Sequence, residues 1–156
     1  MSKKPVSSSK VIMTELVLPS HTNSLGTIFG GTVMAWIDIA GAIAAQRHSG
    51  KEVVTASIDR LDFVAPVYKG WVVNLKASVN FASRTSMEVG VRVDAENPKT
   101  GEKFHTASAY CTFVALGSNG KPAEIPQLEL ENAEDERRFD AAKRRREIRL
   151  KHKAEV

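Results

Sequence analysis

The sequence predicts an α+β domain in which one long apolar helix lies across a face of an antiparallel β-sheet. Three observations predict it. Residues 71 to 81 and 87 to 95 alternate apolar and polar with period two, the signature of strands with one buried face. Residues 33 to 48 form a run of helix-forming, mostly apolar residues with a single charge, Asp38, before Arg47. The order along the chain is strand, long helix, then four strands, which gives one sheet and one covering helix. At 156 residues, 42% of them hydrophobic and 26% charged, the chain fits a single globular domain with a real core.

Residues 1 to 9 are mostly polar, with Pro5 and four serines, and read as a flexible N-terminal arm. The main domain spans residues 10 to 120. Its first strand, Val11 to Leu18, is rich in apolar and β-branched residues and stops at Pro19-Ser20. Residues 19 to 31 have loop composition and end in Gly30-Gly31. A loop of that length in a compact domain is often functional, and glycines let a ligand approach the backbone. The helix then runs from Val33 to His48, opened by Thr32 or by the glycine pair and stopped by Ser49-Gly50. Being apolar on all sides, with alanines and Gly41 permitting close approach, it is expected to be wrapped rather than surface-mounted.

The remaining strands are Val53 to Val64, Trp71 to Phe81, Met87 to Ala95 and Phe104 to Leu116. Residues 82 to 86 and 97 to 101 are hairpin-length connections. Trp71, Val73, Leu75, Ala77, Val79 and Phe81 share one face, and Val89, Val91 and Val93 share the next. Residues 121 to 156 are a linker followed by a charged helix. Asn132 is its N-cap, Glu134, Asp135 and Glu136 fill its first turn, and arginines and lysines crowd its other end. Its thin apolar stripe predicts weak docking, a crossing to a neighbouring subunit, or fraying.

Several function classes are excluded or disfavoured. The longest apolar run is too short to span a bilayer, and the polar N-terminus does not resemble a secretory signal, so no membrane association is expected. Cys111 is the sole cysteine, which rules out an internal disulfide and suits a reducing cytoplasm. No Cys/His spacing suggests zinc or another metal, and there is no glycine-rich phosphate loop. The net charge is +4, with the basic excess in the tail, but no aromatics interleave with it to stack nucleic-acid bases.

Between Glu15 and Arg47 the one formally charged residue is Asp38. Desolvation penalises a lone carboxylate on an apolar helix, which makes Asp38 either a functional group or a buried tether for a neighbouring donor. Asn23, Gly26, Phe29, Gly30, Gly31, Met34, Trp36 and Asp38 together form the pattern N-x-x-G-x-x-F-G-G-x-x-M-x-W-x-D. That pattern closely resembles the acyl-CoA thioesterase branch of the hot-dog superfamily. The segments VTASIDRLDFVAPV (54 to 67) and SRTSMEV (83 to 89) agree with it, so the resemblance covers nearly the whole domain.

The resemblance implies a sheet curled around the helix, pairing of protomers into dimers, and often a hexamer, a trimer of dimers. It implies acyl-CoA hydrolysis in the cytoplasm with no cofactor beyond the coenzyme A of the substrate. It also implies that Asn23 of one subunit and Asp38 of the other face one thioester. Asp38 is then a general base for water or a nucleophile forming an acyl anhydride. Asn23 holds the water or the carbonyl, and the backbone N–H of Gly31 receives the developing oxyanion. Gly30, Thr55 and Ser57 are candidate substrate-side residues. The two hydroxyls, on one strand face, orient the water or Asp38, or simply fill that face. The turn Ser83, Arg84, Thr85, Ser86 is a candidate grip for coenzyme A phosphates, or an ordinary solvated turn. Two rivals remain: a non-catalytic acyl-CoA-binding module, and a hot-dog dehydratase or hydratase. The second needs a histidine that the helix lacks before His48.

Overall fold

The computed structural model describes residues 1 to 155. In chain order the elements are β1 (Lys4–Pro5), a 3-10 turn (Val6–Ser9), β2 (Val11–Leu16), a second 3-10 turn (Pro19–His21) and α1 (Gly30–Ser49). There follow β3 (Glu52–Phe63), β4 (Val72–Ala82), β5 (Ser86–Glu96), β6 (Lys103–Leu116), β7 (Leu128–Glu129) and α2 (Ala133–Glu155). The main sheet has the order β2-β4-β5-β6-β3, with every neighbouring pair antiparallel. Its edges are β2 and β3. The helix across an antiparallel sheet is the architecture the sequence predicts.

α1 begins three residues earlier than expected, because the glycine pair forms its first turn behind Phe29. It ends at Gly50, whose positive φ of 67° lets its N–H reach the Gln46 carbonyl at 2.8 Å. The inner face of the sheet, including Val73, Leu75, Val89, Val93 and Phe113, is sealed against Val33, Ile37, Ala40 and Ala44 of the helix. Gly41 makes this contact possible: a β-carbon there would stand 2.9 Å from the Phe113 ring. The chain does not wrap α1 completely. Met34, Ala35 and Ile39 remain exposed on its far side.

The period-two pattern holds along β4 until a register shift between Val79 and Phe81. Beyond it the faces exchange. Ala82 enters the core, and Phe81 turns outward onto Phe139 of α2, 4.9 Å between ring centroids. Two other expectations differ from the structure. The N-terminal residues form a short parallel pairing with β7, with Val6 and Ser9 buried; the Ser9 hydroxyl accepts from the Val79 N–H at 2.9 Å. α2 is docked on the outer face of the sheet. Its Arg145 donates twice to Glu88, at 2.7 and 3.1 Å, and lies 3.6 Å over the Tyr110 ring. Arg149 donates to Asp59 at 2.7 Å. Asn132 caps the helix as expected, accepting from the Asp135 N–H at 2.9 Å. Glu88 and Asp59 are carboxylates on the outer face of the sheet, and they serve as the anchors for the helix.

Candidate active site

Asp38 projects from the third turn of α1, half-buried, toward the adjoining edge strand β3. There the Thr55 hydroxyl donates to its Oδ1 at 2.6 Å. Oδ2 has no partner among the described residues. Met34 and Ile39, four residues before and one residue after Asp38 on α1, are exposed, so the carboxylate sits on an apolar but open stretch of the helix.

Ser57 does not join it. A register shift between Thr55 and Ser57 inserts Ala56 as an extra residue, so that Thr55 pairs with Phe113 and Ser57 with Thr112. Cross-strand partners share a face. Phe113 is in the core against α1, whereas Thr112 lies beside Glu88 on the face covered by α2. The two hydroxyls expected on one face are therefore on opposite faces, and only Thr55 reaches Asp38.

The start of α1 supplies a second component. Phe29 gives no side-chain cap, and the N–H groups of Gly30 and Gly31 have no acceptor among the described residues. They are the free donors at the positive end of a helix dipole. Gly31 is exposed, and a β-carbon there would meet nothing within 4 Å. Gly30 is closer to a wall: a β-carbon there would stand 3.4 Å from the Phe63 ring. Phe63, at the end of β3, is a site-lining residue the sequence reading passes over; its only signal is its position two residues before Ala65-Pro66 in the family-like segment.

Asn23 organises the loop ahead of the helix. Its Oδ1 accepts from the Leu25 N–H at 2.9 Å and the Thr27 N–H at 3.3 Å, and its amide donates to the Thr27 hydroxyl at 2.9 Å. It makes no hydrogen bond to Asp38 within the chain. His21 is occupied structurally: its Nδ1 accepts from the Leu18 N–H at 3.0 Å, and its ring stands edge-on to Trp36. The Ser83–Ser86 turn is likewise unconnected to Asp38 by hydrogen bonds. Its Ser83 and Ser86 hydroxyls pair at 2.8 Å, the strap after β6 holds it through Gln127 and Ile125, and the Arg84 side chain is 80% exposed. Cys111 is buried, and burial pushes its thiol up to about 12, which removes it as a nucleophile.

Chemically the arrangement offers one carboxylate held by a hydroxyl, with one oxygen free, and two unpaired N–H groups about two turns away on the same helix. A base for water and a donor pair for an oxyanion are the minimal equipment for acyl transfer to water.

Comparison with known proteins gives a consistent result. The thioesterase superfamily model matches residues 25 to 102. A Bacillus subtilis protein named as an uncharacterized acyl-CoA thioester hydrolase is 43% identical over 127 residues, 81% of this chain and 74% of that protein. The mouse acyl-coenzyme A thioesterase 11 is 38% identical over 150 residues, and the chain spans 25% of that longer protein. A crystal structure of an apo-hexameric acyl-CoA thioesterase superposes with TM-score 0.94 at 44% identity, covering 99% of both chains. The acyl-CoA hydrolase of Staphylococcus aureus, solved with butyryl coenzyme A, coenzyme A and coenzyme A disulfide, gives TM-score 0.91 at 38% identity, covering 98% of this chain and 93% of that one. It has also been solved as single alanine variants of an Asn, an Asp and a Thr. The helix wrapped in an antiparallel sheet is thus the hot-dog fold, and this chain belongs to the thioesterase superfamily, in its acyl-CoA hydrolase branch.

Proposed function

We propose that this protein hydrolyses acyl-CoA to a free acid and coenzyme A, at a site shared between two copies of the chain. The observation that carries the reading is the Asp38–Thr55 pair on an apolar surface, on the same helix whose glycine start leaves two N–H groups free. Thr55 holds one carboxylate oxygen. The other takes a proton from water as the water oxygen attacks the thioester carbonyl. The oxyanion forms against the Gly31 N–H, with Gly30 beside it, and a donor of this type is worth about 10²–10³ in rate. Collapse of the tetrahedral intermediate expels the thiolate, which recovers the proton from Asp38. The reaction requires no metal or organic cofactor.

Asn23 enters from the second subunit, where its amide holds the water or the carbonyl. Two facts support a shared site. Asn23 and Asp38 do not meet within one chain, and exposed apolar residues flank Asp38 where a second subunit would cover them. The alanine variants solved for the Staphylococcus aureus enzyme also support the choice of residues. They fall in the order Asn, Asp, Thr at the same intervals along the chain as Asn23, Asp38 and Thr55. Its coenzyme A complexes support the substrate class, and the hexameric relative supports dimers assembling into a trimer of dimers. The Ser83–Ser86 turn, with the exposed Arg84, is proposed to hold coenzyme A phosphates.

The test is free-thiol release from acyl-CoAs of two to eighteen carbons (~C2–C18), comparing wild type with Asp38→Asn. Removing a base that acts in the transition state lowers turnover by about 10²–10⁴ without unfolding the chain. Full activity in Asp38→Asn, or no thiol release by folded wild type from any acyl-CoA, would refute the reading.

A further inference from the structure

In the loop ahead of α1, Asn23 and Thr27 are joined by four hydrogen bonds. The Asn23 N–H donates to the Thr27 carbonyl at 2.9 Å, and the Thr27 N–H donates to Asn23 Oδ1 at 3.3 Å. The Asn23 side chain donates through Nδ2 to the Thr27 hydroxyl at 2.9 Å, and that hydroxyl donates to Oδ1 at 3.2 Å. Oδ1 also accepts from the Leu25 N–H at 2.9 Å. Backbone N–H groups only donate, so the two of them fix Oδ1 on their side of the amide and Nδ2 on the other.

Closing the turn needs only part of this set. The Asn23 carbonyl accepts from the Gly26 N–H at 3.0 Å, and Gly26 takes the positive φ of 80° that suits a residue without a side chain. Oδ1 supplies the rest of the closure by holding the Leu25 and Thr27 N–H groups. The Thr27 hydroxyl reaches the NH2 group, the end of the amide that the turn leaves over. Thr27 is itself seated firmly. It bridges to Tyr68, the Ile28 N–H donates to the Val67 carbonyl at 2.8 Å, and the Lys69 N–H donates to the Gly26 carbonyl at 3.0 Å. Val67 is buried, whereas Ser24 and Leu25 at the tip of the turn are exposed.

An amide nitrogen carries two hydrogens. One goes to Thr27, and Nδ2 has no second acceptor among the described residues. With Oδ1 occupied, the Asn23 side chain offers a substrate one N–H, in one direction. A lone donor suits the thioester carbonyl oxygen, which gains charge in the transition state, rather than the water, whose lone pair makes the attack. Given an acyl-CoA thioester facing Asn23, the reading on which this rests, we propose that Thr27 is the positioning residue for Asn23. Its hydroxyl holds the amide plane so that the second N–H is aimed at the carbonyl. Thr27 does not touch the substrate; it acts through Asn23.

The experiment is a double-mutant cycle on the full chain, reading steady-state thiol release from one acyl-CoA and the thermal midpoint of each protein. Thr27→Val keeps the shape and removes the hydroxyl. It should lower kcat about tenfold with KM unchanged, because the donor it aims is used in the transition state. Thr27→Ser should restore most of that loss. In an Asn23→Ala background Thr27→Val should cost no further turnover, since no amide is left to aim. A purely structural hydroxyl would instead cost the same factor in both backgrounds. Equal losses in the two backgrounds, a change confined to KM, a Thr27→Ser as slow as Thr27→Val, or a fully active Thr27→Val would overturn the proposal while leaving the hydrolase reading intact. A folded wild type that releases no thiol, or an Asn23→Ala as fast as wild type, would remove that reading and the role of Thr27 with it.

Discussion

Thr55 donates to one oxygen of Asp38 and leaves the other free. Thr55→Val keeps the shape and removes that donor. A hydrogen bond to a charged group is worth about 1.5–3 kcal/mol, so turnover should fall roughly 10- to 100-fold, with Thr55→Ser close to wild type. Steady-state kinetics on one acyl-CoA decides it, and an unaffected Thr55→Val would remove Thr55 from the proposed site. His48 makes a different prediction. It is fully buried at the end of α1, with Nε2 2.7 Å from the Pro126 carbonyl and no partner for Nδ1. Nε2 therefore carries the proton and donates. Burial lowers its pKa below the ordinary value of 6.5, and the nearby Lys4 charge lowers it further. A group with a depressed basic pKa takes up protons on unfolding, so its contribution is complete above about pH 6.5 and declines as pH falls below that value. Thermal melts from pH 7.5 to 5 should show this decline, and His48→Gln, which keeps a donor toward Pro126, should flatten it. At this scale Asp38 was legible because a single charge in a long apolar run stands out. Ser57 was misread because the extra residue in β3 is an alanine, and nothing in Ala56 announces a bulge.

The two helices illustrate opposite degrees of legibility. α1 was readable from its composition, and the error at its start came from treating two glycines as loop when they form an uncapped first turn. The docking of α2 was not readable. Its apolar stripe is thin because its anchors are charged: Arg145 on Glu88 and Tyr110, and Arg149 on Asp59. Period-two alternation assigns Glu88 to water, and only the helix above it makes that face an interior. Glu88 is 2% exposed. Arg145→Ala leaves that buried carboxylate without its counter-charge, with the Asn80 amide its remaining donor at 3.1 Å, which should cost about 3–5 kcal/mol in denaturant unfolding. Replacing both partners, Glu88→Gln with Arg145→Met, should recover most of the loss. If Arg145→Ala costs nothing, α2 is not anchored as described. The turn of β4 is another case. Phe81 leaves the core face after the register shift at Val79 and meets Phe139, so one local irregularity both ends the inner face and seats the second helix.

For the whole molecule, the single chain presents its chemistry on an incomplete surface. On the α1 side of the sheet Phe63 of edge strand β3 is exposed, and α1 adds Met34 and Ile39. Such a patch around a candidate catalytic carboxylate calls for a covering partner. A symmetric pair of chains would cover it twice with the same residues. The fold was legible because period and order are properties of one chain. The completeness of the site was not, since it depends on how two surfaces meet, and only the family-like motif pointed there. The measurement that tests the shared site most directly is complementation between two inactive variants, Asn23→Ala and Asp38→Ala, denatured together and refolded as a mixture. In a shared site, half of the dimers are mixed and each has one intact site, so about a quarter of wild-type thiol release should return. If the mixture stays as inactive as either variant alone while mixed assemblies form, both residues act within one chain and the account is contradicted.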